Sequence, residues 1–145
     1  MECQHRELGL PHIVIEYSAN LEPRIGLQEL VRKAHEAALA SGVFEIGGLR
    51  TRCARRDVYR IADGHPDNSF VTVNVRIGHG RDAATRHKAG RMIFEAVCAH
   101  LAPIVATTPL GITLDVVEID PTASFKQNNM HAIVKARAEA HSPAS

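Results

Sequence analysis

The sequence has no tryptophan, and aromatic residues make up only 4% of its 145 positions. A stacking platform for single-stranded nucleic acid needs such rings. An excess of one charge is lacking too, because 17 Lys and Arg meet 16 Asp and Glu for a net +1. Nucleic-acid-binding domains ordinarily carry a basic excess. No run approaches the roughly 18 apolar residues of a membrane span. The segment Met1 to Leu10 carries Glu2, Arg6 and Glu7 and has no apolar stretch of the kind a secretory signal requires. Cysteine is scarce: Cys3, Cys53 and Cys98 are odd in number, far apart, and form no Cys-x-x-Cys pair. A reduced, cytoplasmic setting is the simplest expectation. Nucleic acid and membrane are therefore not expected partners.

Several reaction signatures are absent as well. There is no Gly-x-Ser-x-Gly elbow, no Walker loop and no His-Glu-x-x-His. Nine histidines are present, but none stands at ligand spacing from a cysteine or a carboxylate, so no metal is expected. Gly78-x-Gly80-x-x-Ala83 matches the looser dinucleotide fingerprint. No ribose-binding acid is placed about twenty residues on, and a tight turn into a helix explains the glycines better. The helix amides beside Arg81 also offer an anion site.

What remains is an ordinary globular composition, 45% hydrophobic and 23% charged. A chain of this length reads as one domain. Such a domain buries about 68–70% of its unfolded surface, enough for a core. Pro11 to Tyr17 is a strand signal, with Ile13, Ile15 and Tyr17 on one face. Leu27, Leu30, Val31, Ala34, Ala37 and Ala38 then recur at helical spacing, and Gly42 suits the helix end. A second strand is expected from Leu49 to about Tyr59. The pattern repeats with a strand over 68–77 and a helix capped by Asp82, its stripe built from Ala89, Met92, Ile93, Ala96, Val97 and Leu101. Pro103 and Pro109 are expected to close that helix, and a fourth strand runs from Ile112 to Ile119.

Two β-α-β units, near 11–59 and 68–119, define an α/β (α+β) fold with a four-stranded sheet. Two helices cover one face. A symmetric oligomer is the natural cover for the other. Residues 136–145 are expected to form a flexible tail.

The arginines point to a ligand. Arg50 and Arg52 are two apart on a strand and share a face, and Arg81 ends another strand. Guanidinium groups covered by a partner subunit need anionic company. Their planar forks suit carboxylates.

Pro11-His12-Ile13-Val14-Ile15-Glu16-Tyr17-Ser18-Ala19-Asn20 resembles the mature N-terminus of the 5-carboxymethyl-2-hydroxymuconate isomerase family, within the tautomerase superfamily. The likeness continues through Gly48-Leu49-Arg50-Thr51-Arg52, Ala62-Asp63-Gly64 and Ile77-Gly78-His79-Gly80-Arg81. It closes with Phe125-Lys126-Gln127-Asn128-Asn129-Met130-His131 and spans about residues 11–135. The resemblance implies a mixed sheet in a trimeric barrel, with a higher multiple of the trimer also open. It implies a cofactor-free, metal-free shift of a double bond and a proton in a carboxylated hydroxy-diene from aromatic catabolism. It implies Pro11 as catalytic base, with Arg50 and Arg81 as catalytic partners. Arg52, Phe125 and Lys126 are expected to contact substrate. For Phe125 to Asn129 a plainer role is favoured: a C-terminal hairpin packed on a neighbouring subunit.

Pro11 departs from the family pattern in not being first. With residues 1–10 attached, its nitrogen is a tertiary amide and no base. The expectation is that this extension is absent from the mature protein, through initiation at Leu10 or through proteolytic trimming. If it is retained, the expected product is a non-catalytic, carboxylate-binding trimer. Decarboxylase or dehalogenase chemistry, which other tautomerase relatives perform with the same proline, ranks below the isomerase because those relatives generally lack the Phe-Lys-Gln-Asn-Asn segment.

Overall fold

The computed structural model describes residues 10–141; the expectations for residues 1–9 and 142–145 lie outside the described residues. Strand β1 (His12–Ser18) is followed by helix α1 (Leu27–Ala40) and strand β2 (Arg50–Arg56). Strand β3 (Ser69–Gly78), helix α2 (Ala83–Val105) and strand β4 (Leu110–Ile119) repeat the pattern, and helix α3 (Met130–His141) ends it. The sheet order is β2-β1-β3-β4. β1 pairs parallel with β2, β3 pairs parallel with β4, and the two units meet through the antiparallel β1–β3 pair.

Strand alternation decides the layers. Ile13, Ile15 and Tyr17 of β1 and Val71, Val73, Val75 and Ile77 of β3 are buried beneath the helices. α1 answers with Leu30, Ala34 and Ala38, and α2 with Ala89, Ile93, Val97 and Leu101, all fully buried. Small residues on these helix faces let the backbones approach the sheet. At Gly90 an added Cβ would lie 2.8 Å from Val116 Cγ2, so only glycine fits there without movement. Among the described residues no helix covers the opposite sheet face.

Asp82 caps α2 as expected, its carboxylate accepting from the Thr85 N–H at 2.8 Å. Four boundaries differ from the sequence expectation. β2 stops at Arg56 rather than near Tyr59. Asp57 holds the Arg55 Nε–H there at 2.8 Å, and Tyr59 turns to meet the Phe70 ring edge-on. Pro103 lies inside α2 instead of ending it. It sits in the last turn, where the helix has only two more residues to lose. The segment beyond Phe125 does not form a hairpin, because α3 follows it directly. The tail expected from residue 136 is helical as far as His141.

α3 is a third helix that no apolar stripe announced, and none of its residues is buried. It is docked at its start instead. A Cβ on Gly47 would fall 2.6 Å from the His131 Cα, so the loop before β2 and the first turn of α3 touch backbone to backbone. Asn128 Nδ2 donates to the Gly47 carbonyl at 3.1 Å, and His131 Nδ1 lies 3.3 Å from Glu45.

Candidate active site

One edge of the sheet gathers most of the residues singled out from sequence. β1 and β2 begin there and β3 ends there, because the first pair is parallel and the second antiparallel. Pro11 stands at the head of β1 and is buried. It has no N–H to give the ladder, but its carbonyl accepts from the Arg50 N–H at 3.2 Å. Beside the start of β2, the Gly48 backbone is flanked by the Leu10 side chain and the His131 ring, which lie 3.3 and 3.4 Å from where a Gly48 Cβ would be. Glycine lets the loop pass close over the start of β1.

Arg81 follows β3 and is half-buried. Its Nη2 donates to the Val43 carbonyl at 2.9 Å and its Nη1 reaches the Gly78 carbonyl at 3.5 Å. These bonds fix the guanidinium without neutralising it. Among the described residues no carboxylate pairs with Arg81. The nearby Glu118 is taken by Arg86 at 3.6 Å and His79 at 3.4 Å, and by the Gly80 N–H at 3.4 Å.

Arg50 and Arg52 lie on the open face, as alternation requires. The register aligns Arg50 with His12 and Arg52 with Val14. Arg52 Nη1 is 3.1 Å from His12 Nδ1. A guanidinium only donates, so His12 Nδ1 accepts and the ring keeps its proton on Nε2. His12 is a member of the cluster that motif-reading missed. The available signal was its place in the alternation, beside Pro11 and across from two arginines.

The structure does not bring every expected residue to this edge. Phe125 is 93% exposed. Lys126 is exposed beside it. Both precede the Asn128 anchor, so the segment is fixed near Gly47 while the Phe125 side chain faces outward. Among the described residues no group of three His, Cys, Asp or Glu side chains could hold a metal ion. No helix among them is long and apolar enough to cross a membrane.

Two histidines carry a pH signature. Burial, then Arg52, Arg50 and Arg76, hold His12 below the ordinary 6.5. Burial likewise lowers His35, against a small opposing pull from Glu36. His35 Nδ1 meets Thr51 Oγ1 at 2.8 Å, joining α1 to β2. The unfolded chain takes up these protons near 6.5, before the folded one does. Their contribution to stability is therefore complete above that pH and is lost as pH falls through the folded values. Urea titrations at a series of pH values should show a shallower loss below that point in the His12→Gln/His35→Gln double variant than in the parent. An unchanged slope would refute the assignment.

The model of the 5-carboxymethyl-2-hydroxymuconate isomerase family matches residues 11–134. The chain belongs to this family. A 5-carboxymethyl-2-hydroxymuconate Delta-isomerase of Escherichia coli is 35% identical over 126 residues, covering 87% of this chain and 100% of that protein. The solved 5-carboxymethyl-2-hydroxymuconate isomerase of Deinococcus radiodurans R1 has a TM-score of 0.82 at 31% identity, over 88% of this chain and 96% of that one. A second solved 5-carboxymethyl-2-hydroxymuconate delta-isomerase also superposes at 0.82, with 30% identity, over 90% and 96% of the two chains. The tautomerase fold extends to more distant structures. A fused 4-OT trimer superposes at 0.63 with 11% identity over 85% of this chain and 98% of that one, which is a likeness of fold alone. The family match opens at Pro11, the first residue of the buried β1 segment, and closes within α3. The family match therefore takes in the first turn of α3, where the helix is docked on the Gly47 loop.

Proposed function

We propose that this chain is a cofactor-independent isomerase that acts on 5-carboxymethyl-2-hydroxymuconate, with Pro11 as its base once that residue is first in the chain. The observation that carries the reading is the pairing of a buried proline at the head of β1 with Arg50 and Arg81, neither of which has an acidic partner among the described residues. A free α-amine has a pKa of about 7.7–8.0. Burial and neighbouring guanidinium charges disfavour its protonated form and lower that value. A secondary amine poised near neutrality then takes the proton of the 2-hydroxyl group and delivers one to carbon at the far end of the conjugated system. The hydroxy-diene becomes the conjugated ketone, and the base is restored. Arg81 and Arg50 hold carboxylates, and one of them stabilises the oxygen on which charge develops. Arg52 adds to the anionic subsite. Phe125 and Lys126 close the pocket from the surface of an assembled oligomer.

That oligomer is a homotrimer in this proposal. The uncovered sheet face supports it, as does edge strand β4, whose Val117 is 46% exposed. A cytoplasmic setting is in keeping with the free thiols of Cys53 and Cys98. Burial pushes the Cys53 thiol up to about 11, so it is an inert thiol rather than a nucleophile.

The test is an absorbance assay for loss of the hydroxy-diene, run on a chain prepared to begin at Pro11. Intact mass of the untagged protein from its native host accompanies it, with Pro11 as the expected first residue. Failure of the Pro11-first chain to turn over this substrate would sink the reading.

A further inference from the structure

Beyond Pro11, Arg50 and Arg81, the same edge carries a charge cluster that the proton transfer does not need. The register sets Arg50, His12 and Arg76 in one row across β2, β1 and β3, all on the open face. Strands lie roughly 4.8 Å apart, so the two arginines are within roughly 10 Å at their Cα atoms. Arg52 lies diagonally beside His12 and donates to its Nδ1 at 3.1 Å. The result is three guanidinium groups around a neutral imidazole whose Nε2–H is left as a donor.

Among the described residues acids do not balance this row. Elsewhere on the face a pair forms readily, since Arg56 meets Glu16 at 2.6 Å. Asp115 of β4 is diagonal to Arg76, opposite Asn74, yet no ion pair joins them among the described residues. Arg50 and Arg76 likewise have no side-chain partner there. Guanidinium groups on a face that subunits cover are costly unless an anion meets them.

Resting on the isomerase reading, we propose that Arg76 and His12, with Arg52, form the subsite for the third carboxylate of the substrate, the 5-carboxymethyl arm, next to the Arg50 end of the row. Arg76 and His12 are its specificity-determining residues. The chemistry gives the count. The muconate skeleton ends in two carboxylates, which Arg81 and Arg50 serve. The arm adds a third, which needs a cationic fork and a neutral donor of its own. A diacid without the arm makes no demand on Arg76 or His12.

The experiment compares kcat/KM for 5-carboxymethyl-2-hydroxymuconate and for 2-hydroxymuconate, the same hydroxy-diene without the arm, on chains beginning at Pro11. The parent should prefer the triacid. Arg76→Gln should cut that preference by about tenfold, the worth of one charge-assisted bond. Arg76→Lys should restore part of it by returning the charge. An equal loss on both substrates, or an unchanged ratio, overturns the subsite. Calorimetry with tricarballylate and glutarate separates this from the parent reading. If the chain turns over neither substrate, the isomerase reading fails. The subsite then stands only if tricarballylate binds the parent about tenfold more tightly than it binds Arg76→Gln, while glutarate does not distinguish them.

Discussion

Leaving Leu10 on the chain should abolish isomerisation, while a chain that begins at Pro11 should be active. The expected gap is at least the 10²–10⁴-fold, in order of magnitude, that a positioned acid–base group supplies. The physical reason is bonding at one atom. An acylated proline nitrogen gives its lone pair to the amide and cannot accept a proton; the same nitrogen at a chain start is a secondary amine. Nothing else in the edge cluster substitutes for it. His12 gives Nδ1 to Arg52, and burial, with the surrounding cations, holds its affinity for protons low. The Pro11→Ala variant is a gentler test, because alanine at the chain start keeps a primary amine. It should lose about a hundredfold, since the ring that fixes the lone pair is gone. Its fold should survive. β1 begins its ladder at His12, and the carbonyl of residue 11 still accepts from the Arg50 N–H. Full activity in a chain with Leu10 attached would remove Pro11 from the mechanism.

The fold was legible wherever burial imposed a period. β3 was the clearest element because Val71, Val73, Val75 and Ile77 are all fully buried on one face. The α1 stripe was read for the same reason, as was the Asp82 cap, whose carboxylate does what its position suggested. α3 escaped because none of its residues is buried. A run such as Lys135, Ala136, Arg137, Ala138 and Glu139 has good helix formers but no stripe to read. Pro103 misled because proline is costly in a helix interior and cheaper in a last turn. At the site, resemblance supplied Pro11, Arg50 and Arg81, and the topology explains why they converge: parallel β1–β2 and antiparallel β1–β3 pairing send two strand starts and one strand end to a single edge. His12 and Arg76 belong to that edge through register, which a linear motif does not display. Phe125 marks the other limit, since a side chain 93% exposed in its own chain has its role decided by whatever covers it.

Arg81→Ala should raise KM for the triacid by about 10- to 150-fold, the range of a lost charge-assisted bond. Two observations set the direction. The guanidinium is already held by the Val43 and Gly78 carbonyls, so its orientation costs the substrate little entropy. Its charge has no carboxylate to satisfy it among the described residues, so an incoming anion displaces water and no internal partner. Arg81→Lys separates charge from geometry. Lysine keeps the cation but not the planar fork that engages a carboxylate with two parallel bonds, so it should recover only part of the loss. The competing account is that Arg81 serves to staple the Val43 loop to the end of β3. Under that account Arg81→Ala would lower the thermal midpoint and leave KM alone, and lysine, reaching a single carbonyl, would restore stability. Measuring KM and Tm on the same two variants decides between them. If binding weakens while the midpoint barely moves, the half-buried cation is there for the substrate, and the carbonyls that hold it are its aiming device.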